Sequence, residues 1–164
     1  MVILGIDPGI ATTGCGLVEE RGSSLEARYV GVVLTDSKWC MPDRLQKVYR
    51  EITQLIEVHR PDAAAVEELF FCNNAKSAIA VGQARGVALL AAVNAGLPVY
   101  EYTPLQVKQA LTGYGRADKD QVGKMVKTLL GLKTVPRPDD AADALAIAIC
   151  HLFSAKHLNA TQGY

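Results

Sequence analysis

The run MVILGIDPGIATTGCGLVEERGSSLEARYVGVVLT, Met1 to Thr35, decides the fold class, because its β-rich stretches are separated by links that are only turn-length. VILGID (2–7) ends at Asp-Pro-Gly, a strong turn signal. GCGLVEE (14–20) and LEARYVGVVLT (25–35) flank the tight segment RGSS. Three strands joined this way predict an antiparallel meander. Beyond Pro42 the period changes: Leu45, Val48, Ile52, Leu55, Ile56 and His59 recur at helical spacing, and Pro61 follows soon after. This predicts an amphipathic helix lying on the sheet. DAAAVEE (62–68) reads as a buried strand, NNAKSAIAVGQARGVALLAAVNAG (73–96) as a long helix capped by Asn and stopped by Gly96, and LPVYEY (97–102) as a further strand. TPLQVKQALTG (103–113) starts with a Thr cap and Pro at the first helical position, DKDQVGKMVKTLLGL (118–132) makes another helix, and RPDDAADALAIAICHLF (137–153) begins the last. Strands alternating with helices signal parallel βαβ units. The expected architecture is α/β, a mixed five-stranded sheet with three antiparallel strands followed by parallel ones, flanked by helices.

A chain of 164 residues with 49% hydrophobic content can bury a real core. Its length suits a single domain, expected over 1–155, with 156–164 as a flexible tail. Lys plus Arg balances Asp plus Glu at 17 each, so a charged partner has to be met by local asymmetry. Cys15, Cys40, Cys72 and Cys150 form no CxxC pair, which argues against a zinc site or a redox dithiol. They read as reduced thiols, mostly buried. MVILGIDPG has no basic region before its short apolar run, and no stretch reaches the ~18 apolar residues that span a bilayer. A cytoplasmic location is expected.

The acidic residues carry the chemistry. Asp7 closes the first strand just before Pro8-Gly9, where a short carboxylate projects into the cleft at the C-terminal edge of an open sheet. An ordinary Asp-Pro-Gly turn explains it equally well. Glu67 closes the apolar run AAAV at another strand end, with Glu68 beside it, and alternation does not say which of the two faces the cleft. In the last helix Asp140 and Asp143 are three residues apart, close enough around the axis to share one ion. Asp139, after Pro138, is better explained as the N-cap. Asp143 is harder to dismiss: Ala141, Ala142, Ala144, Leu145 and Ile147 surround it, and no Lys or Arg lies within a turn. A buried carboxylate needs a partner. Carboxylates converging from two strand ends and a helix make an oxygen-rich site suited to Mg²⁺ or Mn²⁺. His151, on the apolar part of the same helix, reads as a packing residue rather than a ligand.

Between Pro104 and Arg137 seven basic residues face only Asp118 and Asp120. Lys124 and Lys127 read as a solvated helix face, whereas Lys108 and Lys119 bracket ALTGYGRAD, a glycine-bearing loop that can approach a phosphodiester backbone. An acid cluster that holds metal beside a basic surface is what phosphoryl transfer on nucleic acid requires, with two metals serving the attacking and leaving oxygens. ELFFCNN (68–74) adds an apolar triplet after the carboxylate strand; one of its two phenylalanines can stack on bases where strands separate.

Five blocks in order, GIDPG (5–9), VEELFFCNN (66–74), GQARGVALLAAV (82–93), QVKQALTGYG (106–115) and DAADALAIAICH (140–151), resemble the RuvC family of bacterial Holliday junction resolvases from about Val2 to Phe153. The resemblance implies an RNase H-like fold and a homodimer whose two sites cut opposing strands of four-way junction DNA symmetrically. Carried over by position, it makes Asp7, Glu67, Asp140 and Asp143 the four metal-binding carboxylates, and so selects Glu67 over Glu68 and Asp140 over Asp139. Phe70 falls on the junction-probing aromatic, and Lys108 and Lys119 on residues that handle DNA; Arg116 in the same loop is grouped with them. The implied reaction is Mg²⁺-dependent hydrolysis leaving 5′-phosphate and 3′-hydroxyl ends, in homologous recombination and DNA repair, alongside the branch-migration proteins RuvA and RuvB. Two other readings compete. An inactive junction-binding module is disfavoured by retention of all four acids. A phosphotransferase of the actin and sugar-kinase type would need a second phosphate loop and a longer chain.

Overall fold

The structure, a computed structural model, describes residues 1–68 and 75–161, with the side chains of 75–77 and 156–161 outside the description. Strands β1 (Val2–Asp7), β2 (Thr12–Arg21) and β3 (Ser24–Leu34) form the meander, followed by α1 (Met41–His59), β4 (Ala63–Glu67), α2 (Ala75–Asn94), β5 (Val99–Tyr102), α3 (Pro104–Thr112), α4 (Lys119–Leu129) and α5 (Asp139–Thr161). The sheet order is β3-β2-β1-β4-β5. β1 pairs antiparallel with β2 and parallel with β4, so the switch from meander to βαβ units happens at the central strand. The mixed sheet read from the sequence is therefore the one observed.

Local chemistry explains the elements. Ile3, Leu4 and Ile6 of β1 are fully buried, so the run is apolar without alternation, as a strand covered on both faces must be. Thr103 caps α3 and Asp118 caps α4, each reciprocated by a glutamine three residues on, Gln106 and Gln121. Gly96 takes a positive φ of 75° beyond the end of α2, as its stop role requires. The proposed Asn cap of α2 lies outside the described residues. α5 continues past Phe153 into the stretch expected as tail, since neither Pro nor Gly interrupts it before Gly163. Cys15 and Cys150 are buried, whereas Cys40 is exposed before α1.

Two cores sandwich the sheet. Leu4, Ile6, Ala64 and Val66 face α1 and α2, whereas Ile3, Ala63 and Ala65 face α3, α4 and α5. α5 lies unusually close to the sheet. A Cβ added at Gly5 would fall on the carbonyl oxygen of Ala144, and one at Gly14 on that of Asp140. Only glycine leaves room for such backbone approach. Ala141, Ala144 and Ala148 complete the small-residue seam, each wholly buried. The close approach carries the head of α5 down to the strand edge where β1 and β4 end.

Candidate active site

Asp7 and Glu67 end neighbouring parallel strands that run in register as far as Ile6 opposite Val66. Adjacent strands lie ~4.8 Å apart, so the two carboxylates leave the same sheet edge side by side. They share a hydrogen bond. The turn after Asp7 is held by Thr13, a fully buried residue whose hydroxyl donates to the Gly9 carbonyl at 2.6 Å. Asp143 joins Asp7 and Glu67 in lining a cleft of about 340 Å³, whose other walls include Lys108, Lys119, Val107 and Val122. Asp140 lies near enough to act on Asp7 electrostatically.

These charges repel one another strongly. Burial, followed by the charges of Glu67, Asp143 and Asp140, pushes the Asp7 carboxyl up to about 8 from an ordinary 3.8. Burial also raises Glu67, aided by Asp143 and opposed by the hydrogen bond from Asp7. The two carboxyls titrate as a pair, which holds a proton more tightly than two isolated carboxylates would. This side-chain chemistry marks a site short of positive charge.

Part of that charge comes from Lys119. Its Nζ donates to Asp143 Oδ2 at 2.9 Å, and this bond raises the lysine above its usual range. The absence of a cation within one helical turn of Asp143 holds along α5, yet α4 supplies one across space. A lysine in the first turn of a helix sits against the macrodipole, which was the available signal that it is held there by something else. Lys108, from α3, lines the same cleft and lowers Glu67 through its charge. Arg116 is exposed in the loop between α3 and α4. Lys124 pairs with Asp120 on the solvated face of α4, as expected. Phe70 lies outside the described residues.

One expectation needs correcting. Asp139 is the first residue of α5 rather than its cap, and its carboxylate pairs with the Arg137 guanidinium. Pro138 precedes the helix, so the nearby arginine rather than a backbone N–H satisfies the acid. Arg85 of α2 escaped sequence reasoning altogether: its Nε donates to the Glu67 carbonyl at 3.2 Å and its guanidinium pairs with Glu101 of β5. The strand end that bears Glu67 is thus held from the α2 face.

The family described as crossover junction endodeoxyribonuclease RuvC matches residues 3–151. A protein of that name from Rubrobacter xylanophilus is 62% identical over 98% of this chain and 89% of its own. Another, from Desulfitobacterium hafniense, is 57% identical over 99% of both chains. The chain belongs to the RuvC family. A solved RuvC from Thermus thermophilus, in complex with a Holliday junction substrate, superposes with a TM-score of 0.92 at 44% identity, covering 96% of each chain. The RuvC fold is RNase H-like, as the mixed sheet order indicates. All four acids, Lys108 and Lys119 fall within the residues that match RuvC.

Among the described residues, no three His, Cys, Asp or Glu side chains are grouped so as to hold a metal ion. Asp7 and Glu67 are engaged with each other through a shared proton, and the Lys119 ammonium holds Asp143. Four carboxylates with neither His nor Cys among them suit a hard divalent cation once that proton and ammonium give way.

Proposed function

We propose that this chain resolves Holliday junctions as a homodimer, hydrolysing one phosphodiester in each of two opposing strands. The observation that carries the reading is the cleft itself: strand-end acids Asp7 and Glu67 meet Asp143 beneath α5, with Lys108 and Lys119 in the same wall. A relative 44% identical, solved with a junction, has this fold over almost the whole chain. Asp7, Glu67, Asp140 and Asp143 would hold Mg²⁺, two ions per site, with Mn²⁺ able to substitute. A bound metal would supply Lewis acidity for activating water and stabilising the leaving oxygen, and the products would carry 5′-phosphate and 3′-hydroxyl ends.

The chain's own residues do the rest. The Asp7–Glu67 pair releases its shared proton to solvent, so that both carboxylates become full anions. Lys119 swings from Asp143 to the backbone phosphate, a move its exposed side chain permits. Lys108 and Arg116 add positive charge along the approach, and Phe70, in the stretch after Glu67, would probe the opened bases. Symmetric cutting needs a second copy. Ile79, Leu90 and Val93 leave an apolar stripe on the outer side of α2, with Gly86 open between them. They fall within about 60° of one another around the axis, the form of surface that a two-fold mate covers. Among the described residues, no helix is long and apolar enough to cross a membrane. By family analogy the chain would act in the cytoplasm, in recombination and repair beside RuvA and RuvB.

The test is cleavage of a labelled four-way junction and a matched linear duplex in Mg²⁺, Mn²⁺ or EDTA, with Asp7→Asn alongside. Paired, metal-dependent nicks in the junction alone are expected. Equal cutting of the duplex, cutting in EDTA, or full activity of Asp7→Asn sinks the proposal; tight binding without cutting would leave only a binding module.

A further inference from the structure

His151 is a costly residue where it stands. It is only 4% exposed, in a helix otherwise lined by Ala, Ile and Leu, and burial lowers its affinity for a proton. Its Nδ1 shares a hydrogen bond of 2.8 Å with the Tyr102 hydroxyl. The Tyr100 ring lies against it at a centroid distance of 4.3 Å, and the Tyr102 ring meets it edge-on at 5.9 Å. Packing alone would be met by a leucine.

Tyr102 has a defined relation to the acids. It is the β5 residue opposite Glu67, and its carbonyl accepts from the Glu68 N–H at 2.8 Å. Paired residues of a parallel ladder project to the same face, so the phenol and the Glu67 carboxylate both point toward α5. Thr103, the cap of the helix carrying Lys108, follows directly. On α5, His151 lies within about 20° of Asp140 around the axis, three turns further along. The bond thus joins the strand end of Glu67 and Lys108 to the helix of Asp140 and Asp143.

The seam beneath α5 explains why such a bond is needed. Gly5 and Gly14 face the Ala144 and Asp140 backbone, so at these two points, unlike at Leu145 over Gly16, no side chain interlocks to resist sliding. A directional hydrogen bond does resist it. We infer that Tyr102 and His151 are positioning residues, whose bond fixes the axial register of α5 and hence the span between Glu67 and the acids of that helix. The inference rests on the carboxylate reading above.

The test uses the full chain with Tyr102→Phe, His151→Leu, His151→Asn and, as reference, Glu67→Gln. Contacts made directly to metal ligands are worth roughly 10- to 100-fold in metal affinity or activity, and one step further out the lower end, about tenfold, is expected. Tyr102→Phe and His151→Leu should cut junctions about tenfold more slowly at a fixed Mg²⁺ concentration and bind Mn²⁺ alone, followed by electron paramagnetic resonance, about tenfold more weakly. Junction affinity should stay within about twofold, because the phosphate contacts are untouched. His151→Asn, whose amide can still meet the phenol, should recover most of both losses. Wild-type rate and Mn²⁺ affinity in Tyr102→Phe would overturn the inference, as would equal impairment of the Leu and Asn variants, which would make it a matter of volume. If His151→Leu does not fold, Tyr102→Phe decides, since it deletes one hydroxyl. An inactive Glu67→Gln beside a fully active Tyr102→Phe defeats the positioning role alone, whereas a fully active Glu67→Gln defeats the carboxylate reading beneath it.

Discussion

Replacing Asp7 with asparagine should stabilise the metal-free protein while abolishing its cutting, and the gain can be sized from the site. Burial and the nearby Glu67, Asp143 and Asp140 raise the Asp7 carboxyl to about 8 from 3.8. The folded state holds this proton more tightly than the unfolded chain, so stability is full below the unfolded value, falls as pH rises toward 8, and levels off above it. At about 1.36 kcal/mol for each pH unit, the roughly four units between these values set an upper bound of about 6 kcal/mol. With the high effective dielectric constant appropriate to a cleft open to solvent, the expected gain is about 2 kcal/mol. For a chain of this length that is about 4 to 8 °C in Tm. An asparagine is neutral throughout and can still donate to Glu67. Thermal unfolding of both proteins in chelator at pH 5, 6.5 and 8.5 should therefore show an advantage for Asp7→Asn that grows with pH, and Mg²⁺ should reverse it by binding the wild type. A pH-independent difference, or a wild type more stable at pH 8.5 in chelator, would refute the mutual repulsion on which the site rests.

Asp139→Asn should cut at close to the wild-type rate because its partner is Arg137, whereas Asp143→Asn should bind junctions normally and leave them whole; gel shift and cleavage on the same samples separate the two. Gly14→Ala would drive a methyl group into the Asp140 carbonyl and should cost about 3 kcal/mol in urea unfolding, with an unchanged midpoint arguing against backbone contact there. Lys119→Met frees Asp143 and should tighten Mn²⁺ binding without DNA severalfold, ~1 kcal/mol for so exposed a pair, while slowing cleavage. Weaker Mn²⁺ binding in a calorimetric titration would show that the lysine does not compete with the cation.

Much of this protein is legible along the chain because the relevant signals are local. Alternation, helical period and turn residues place five strands and five helices, and the meander before Thr35 already separates the antiparallel part of the sheet from the parallel part. The strand ends at Asp7 and Glu67 follow from apolar runs that stop, and Asp140 with Asp143 from a spacing of three. Residue reading alone left Glu67 against Glu68 open; the resemblance chose Glu67, which lines the cleft. Other features lie between elements, where periodicity carries no information. The partner of Asp143 is 24 residues away on another helix, Arg85 grips Glu67 from across the sheet, and Asp139 turns to Arg137 instead of capping. The depth at which α5 rests is set by Gly5 and Gly14, whose role shows only when the helix backbone is seen above them. The sequence by itself determined which groups stand at the ends of which elements, since hydrophobic period and turn chemistry act over a few residues. Only the tertiary structure decided which of those groups share a proton, an ammonium or a cleft, because each such pairing depends on distances of a few ångströms between segments far apart in the chain.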